Sequence, residues 1–273
     1  MSLSAENVTI RRGGRRILDD ATLQVNPGEF CVVLGRNGAG KSTLLSILAG
    51  DITPDQGRVV LDGDSLSSIP PIDVARKRGV LLQESGLQFP FSVEEVVRLG
   101  RAPHKRETDE EEDRIIDSVL SLCGVQDKRS MVFQKLSGGE KQRVQLARVI
   151  AQIQTSQSDR SDTRYLLLDE PVSALDLYHQ TRILETVRDM AHNGCGILAI
   201  LHDVNLAAQY ADRIVFLSAG KVHSEGGASM LSPALVEEIY GVRMHGFKDP
   251  GTGKSFYMPY VHESNESREV KMN

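Results

Sequence analysis

The stretch FCVVLGRNGAGKSTLLSILAG, Phe30–Gly50, decides how the rest of the chain is read. An apolar run leads into a glycine-rich turn, and KSTLLSILAG then has helical spacing that stops at Gly50, a residue suited to a left-handed cap. Between them Gly35, Arg36, Asn37, Gly38, Ala39, Gly40, Lys41, Ser42 and Thr43 satisfy G-x-x-x-x-G-K-[ST] in the strand-to-helix setting that this motif requires. Gly35, Gly38 and Gly40 let the backbone turn tightly and aim N–H groups at phosphate oxygens. Lys41 is placed to hold β- and γ-phosphates, and the Ser42 hydroxyl to ligate Mg²⁺. A second GKS, in PGTGKS (Pro250–Ser255), fails the same test. Lys248 stands where the first glycine belongs, and FYMPY follows where a helix should.

Outward from this loop the chain alternates strands and helices. GRVVLDG, RGVLLQ, RYLLLDE and GILAILHD read as further strands, and the last two are apolar throughout, as in a parallel sheet covered on both faces. RYLLLDE puts Asp169 and Glu170 at the C-terminal end of a buried strand, where open α/β sheets bind ligands. Successive strand residues point apart, so the two carboxylates divide the work. Asp169 suits the Mg²⁺ shell, and Glu170 suits polarising the water that attacks a γ-phosphate. Before the loop, residues 3–28 read as short strands closed by Gly13-Gly14 and by Pro27-Gly28, with RRGGRR (Arg11–Arg16) as a charged hairpin turn. RIVFLSAGKVHSEG reads as another hairpin, followed by a short helix in PALVEEIYG.

From Glu84 to about Gln152 the pattern turns helical. SVEEVVRLG is short and amphipathic. Thr108 with Glu111 suggests a capping box opening DEEEDRIIDSVLSLCG, with positions 115, 116, 119, 120 and 123 on one face and the acidic run as a solvated first turn. KLSGGEKQRVQLAR (Lys135–Arg148) starts a helix with a serine cap and two glycines that bare backbone N–H groups. It is a second anion-attracting terminus in a chain that already has a phosphate loop. Gln154–Arg164 lacks apolar side chains and reads as a surface loop; the tail beyond Val261 reads as frayed.

Bulk properties narrow the function classes. The chain has 273 residues, 40% hydrophobic and 25% charged, enough for one large α/β domain or a domain plus a subdomain. A net charge of −5 argues against nucleic acid as the main partner. Cys31, Cys123 and Cys195 form no CxxC pair and read as reduced, buried residues. The N-terminal MSLSAENVTIRR has no apolar signal core, and no apolar run approaches the ~20 residues needed to cross a bilayer.

In their order, GRNGAGKST, LLQES, LSGGEKQR, YLLLDE, SALD and ILHD resemble the ATP-binding cassette (ABC) ATPases over nearly the whole chain. The resemblance implies an α/β P-loop NTPase (RecA-like) core with an N-terminal antiparallel β subdomain and an inserted α-helical subdomain. The division it suggests is a nucleotide-binding core in 1–86 and 153–242, a helical, signature-bearing subdomain in 87–152, and a partly disordered C-terminal extension in 243–273. It implies Mg-ATP hydrolysis, with Glu170, His202 and Gln83 as catalytic residues, Gln83 also in the metal shell with Ser42 and Asp169, and His202 on the γ-phosphate. Ser137, Gly138 and Gly139 would cap the ATP held by a second copy in a homodimer, with Asp176 at the seam. Arg12 stands where many members carry an adenine-stacking aromatic.

Leu87–His104, together with EPVSALDLYHQ and ILAILHDVNLAAQYADRI, looks like the branch serving bacterial iron-chelate, haem and cobalamin importers. Within that branch the resemblance is to haem (hemin) importer ATPases, with siderophore or cobalamin import as the alternative and a soluble cassette of translation or DNA repair as a further one. It implies two permease subunits, a periplasmic binding protein reached through them, no nucleic acid, and a peripheral place on the cytoplasmic face of the inner membrane. Phe89, Val93, Val96 and Leu99 are expected to pack inward while their neighbours face the permease.

Overall fold

The computed structural model describes residues 1–82, 89–104, 108–154 and 163–260. At its centre is a six-stranded sheet in the order β10 (Lys221–Gly226), β9 (Arg213–Ser218), β3 (Phe30–Leu34), β8 (Gly196–Ile200), β7 (Tyr165–Asp169), β6 (Arg78–Leu81). From β9 to β6 neighbours run parallel, and β10 joins β9 as the expected antiparallel hairpin. Alternation explains why the central strands are apolar throughout. Cys31, Val33, Tyr165, Leu167, Leu198 and Ile200 point into one core, while Phe30, Val32, Leu34, Leu166, Leu168, Ile197 and Ala199 point into the other.

The first core is closed by α1 (Lys41–Leu48) and an antiparallel sheet in the order β2 (Arg15–Val25), β1 (Leu3–Arg12), β4 (Gln56–Leu61), β5 (Asp64–Ser65). The β1–β2 turn pairs Arg12 with Arg15 across Gly13 and Gly14, both at positive φ, so RRGGRR is the charged hairpin turn it reads as. Following β5, α2 (Pro71–Lys77) leads into β6.

The second core is covered by helices. α3 (Val93–Arg98) and α4 (Asp109–Leu122) pack on α5 (Gly138–Ile153), and α5 continues against β6 and β7. Ile115, Ile116, Val119, Leu120 and Cys123 are all buried, as the spacing requires. Thr108 Oγ1 accepts the Glu111 N–H at 3.3 Å. The acidic first turn is not wholly solvated, however. Glu112 turns in to pair with Arg101, itself 6% exposed, whose Nη1 also donates to Ala151 O at 2.9 Å.

Phe89 and Leu99 differ from expectation too. Val93 and Val96 are buried, but Phe89 is 68% and Leu99 45% exposed. Phe89 precedes the Ser92 cap of α3, and Leu99 follows the helix in a tighter turn, about 120° off the buried face at 100° per residue.

α6 (Leu177–His192), α7 (Val204–Tyr210) and α8 (Pro233–Tyr240) complete this layer. A hairpin of β11 (Met244–Lys248) and β12 (Ser255–Pro259) follows, so PGTGKS lies in a β-turn and not before a helix. The three cysteines are free and buried, and burial pushes each thiol up to about 12. No helix among the described residues is long and apolar enough to cross a membrane.

Candidate active site

The carboxyl ends of β3, β8 and β7 lie side by side, and the residues that follow them build the site. After β3 the chain enters the phosphate loop. Gly35 runs so close to β9 that a Cβ there would fall 2.1 Å from Leu217 O, and its N–H donates to the Tyr240 hydroxyl at 3.1 Å. At Gly40 (φ 102°) a Cβ would meet Leu18 Cδ2 at 2.8 Å and Ile17 O at 2.9 Å. The loop is thus pressed between β2 and β9, with α1 starting at Lys41. Past Leu48 and Ala49, Gly50 takes the left-handed position expected of it (φ 73°).

Lys41 is nearly buried, and its Nζ donates to Gly35 O at 2.8 Å and Arg36 O at 3.1 Å, folding back over the loop it follows. Burial lowers its pKa, and the carboxylates of Glu170 and Asp169 pull the other way. Asp169 is 4% exposed. Burial pushes its carboxyl above the ordinary range; the Ser42 hydroxyl opposes that shift, the Glu170 charge adds to it, and Lys41 and His202 oppose it. Its Oδ1 is buried without a hydrogen-bond partner. A buried carboxylate oxygen left unmatched beside a hydroxyl is a donor set that suits a hard, oxygen-seeking cation such as Mg²⁺. Among the described residues no cluster of three or more His, Cys, Asp or Glu side chains gathers to hold a metal.

Glu170 leaves β7 in a left-handed conformation (φ 51°), rare for a residue with a side chain. Its Oε1 lies 2.5 Å from His202 Nε2, which follows the end of β8. The register Asp169↔Ile200 sets this meeting.

Ile17, Asn37, Gly38, Gly40, Lys41, Ser42, Thr43, Glu170 and His202 together line a cavity of about 620 Å³. Ile17 is the member that sequence reading missed. It sits in an ordinary β2 alternation, and only the tertiary approach of β2 to Gly40 exposes its role. Arg12 is not among the lining residues; it is exposed at the end of the β1–β2 hairpin. Gln83 lies outside the described residues.

Ser137, Gly138 and Gly139 do not line this cavity either. Ser137 caps α5 in a full capping box: its Oγ accepts the Glu140 N–H at 3.3 Å, and Glu140 Oε2 accepts the Ser137 N–H at 2.8 Å. Gly138 is exposed, so the terminus faces solvent. Asp176 caps α6, accepting the His179 N–H at 2.9 Å. The start of α5 and the phosphate loop thus lie at different places in the chain's fold.

A family model described as ABC transporter matches residues 18–173. A hemin import ATP-binding protein of Gloeobacter violaceus is 44% identical, over 94% of this chain and 94% of its own length. A protein of the same description from Rhizobium meliloti is 38% identical, over 94% and 98%. A solved dimeric structure of a bacterial ABC transporter cassette superposes with a TM-score of 0.72 at 25% identity, over 83% of this chain and 98% of that one.

Proposed function

This chain belongs to the ABC transporter family, as an ATP-hydrolysing cassette of the importer kind, and from that premise we propose that it energises uptake of haem (hemin) through a separate permease. The single observation behind the hydrolytic mechanism is the cavity in which Lys41, Ser42, Thr43, Glu170 and His202 converge. In this reading the backbone N–H groups of Gly38–Thr43 receive the phosphate chain, and Lys41 Nζ leaves the carbonyls of Gly35 and Arg36 for β- and γ-phosphate oxygens. Ser42 and Asp169 would hold Mg²⁺, which when bound would supply neutralisation of the phosphate charge. Glu170 accepts a proton from the attacking water as its oxygen closes on the γ-phosphorus and the bond to the β–γ bridging oxygen breaks. His202, within hydrogen-bond reach of Glu170 Oε1, orients that carboxylate and contacts the γ-phosphate.

Ser137, Gly138 and Gly139 act on a second copy's nucleotide. Their own cavity does not include them, and the exposed start of α5 is an anion-attracting terminus. The exposed apolar side chains Phe89 and Leu99 support a groove that receives a permease helix, and in this reading the protein sits peripherally on the cytoplasmic face of the inner membrane. Haem as cargo rests on what the 44% and 38% identical relatives are named for. The test is ATPase activity in liposomes carrying the cognate permease. Stimulation by a haem-loaded binding protein, and not by the same protein loaded with a siderophore or cobalamin, supports the assignment; equal response to all three removes haem as the cargo.

A further inference from the structure

We infer that Gln142 is a positioning residue through which the helix starting at Ser137 sets the aim of Glu170; this rests on the roles of Ser137 and Glu170 proposed above. Glu170 occupies a strained left-handed turn, which persists only where surrounding contacts fix it. Its N–H donates to Ile200 O at 3.2 Å, which secures the strand side. Its carbonyl, on the outgoing side, accepts from Gln142 Nε2 at 2.6 Å and from Ser173 Oγ at 3.2 Å. The same Gln142 carboxamide turns its oxygen to the Ala174 N–H at 3.2 Å. One side chain thus closes both ends of the turn 170–174 onto α5.

The chemistry suits a primary amide. Bridging the Glu170 carbonyl and the Ala174 N–H takes a side chain that donates to one and accepts from the other at once, as the Gln142 carboxamide does. Backbone packing reinforces the link. A Cβ at Gly139 would lie 3.0 Å from Ala174 O and 3.2 Å from Leu175 Cδ2, so the first turn of α5 already rests on the same loop. Gln142 follows Ser137 by little more than one helical turn. A displacement of that terminus is therefore carried by a rigid element to the Glu170 backbone, and through Leu175 towards Asp176. In the paired arrangement Ser137 answers to the partner's nucleotide while Glu170 serves its own. Gln142 then joins the two sites within one chain.

The discriminating experiment measures kcat and KM for Mg-ATP, with melting temperature, in the full chain carrying Gln142→Met or Gln142→Glu. Methionine keeps the length and removes both hydrogen bonds; glutamate keeps the acceptor for Ala174 and loses the donor to Glu170. Both should lower kcat by about 10–100-fold with KM changed by less than about threefold. In a Glu170→Gln background both should still dimerise in ATP, because capture of nucleotide is untouched. A Gln142→Met or Gln142→Glu kcat within about twofold of wild type overturns the inference, as does a loss carried by KM or matched by a fall in melting temperature. If Glu170→Gln itself turns over normally, the role of Glu170 fails instead, and that result is separate.

Discussion

Asp169 and Glu170 are adjacent in the chain yet are treated in opposite ways by the fold. Asp169 is buried with an unmatched oxygen, so its ionised form is penalised; the penalty is absent below its ordinary value of 3.8 and complete above its raised folded value. Asp169→Asn is therefore expected to leave the nucleotide-free melting temperature unchanged or raise it, while abolishing the extra stabilisation that Mg-ATP gives. Differential scanning fluorimetry with and without Mg-ATP checks both. A destabilised free protein that still gains fully from Mg-ATP would remove Asp169 from the metal shell. Glu170 is instead partly open to the cavity and meets His202. Glu170→Gln should cut turnover by about 10²–10⁴-fold and leave nucleotide affinity within a few-fold, read by phosphate release beside a fluorescent-nucleotide titration. Both carboxylates were legible in the sequence because an apolar strand ending in two acids has few other readings. His202 as a site residue was legible only through family resemblance, and its contact with Glu170 was not legible at all, since that depends on β8 lying beside β7.

Helix periodicity located α4 well, because its buried face repeats at the helical spacing. It could not show that Glu112 turns inward, because the cause is Arg101 on a different element. Leu99 shows the converse: it continues an apolar pattern past the point where α3 ends. A network the sequence does not reveal joins these helices. Glu94 accepts from Arg129 at 2.6 Å and Arg98 at 2.7 Å, and the two arginines also reach Asp117 and Asp113.

Hydrogen bonding from Arg129, then from Arg98, outweighs partial burial and lowers the Glu94 carboxyl from 4.5 to about 2. A depressed carboxylate stabilises the fold above its unfolded value and loses that contribution as pH falls towards the folded one. Glu94→Gln should thus cost about 1–2 kcal/mol at pH 7, a figure reduced for solvent screening because the arginines are about one-third exposed. The difference from wild type should shrink as pH drops from 4.5 towards 2, measured by urea denaturation across that range. A constant difference over the range would rule out the ionic origin. Leu120→Ala, fully buried on the same helix, should cost about 2–5 kcal/mol with no such pH dependence.

At the scale of the molecule, apolar runs announced a covered parallel sheet but not its order. The arrangement β9-β3-β8-β7-β6 places strands from opposite ends of the chain together, and loop lengths carry no record of that. This order is what gathers Lys41, Glu170 and His202, so the site's membership was readable in motifs while its geometry was not. The same scale exposes what one copy leaves unfinished. The α5 terminus at Ser137 is exposed and lies outside the lining of its own cavity, and Leu177 and Tyr178, just past Asp176, are 81% and 63% exposed. A second copy that brings its nucleotide to Ser137 would complete the first and cover the second. The most direct test is sedimentation of the Glu170→Gln variant in saturating Mg-ATP, with bound nucleotide counted. The expected species is twice the 30.0 kDa chain and holds one ATP per chain, reverting to single chains when Ser137 is replaced by a bulky residue. A variant that binds ATP fully yet sediments as a single chain would contradict the paired arrangement.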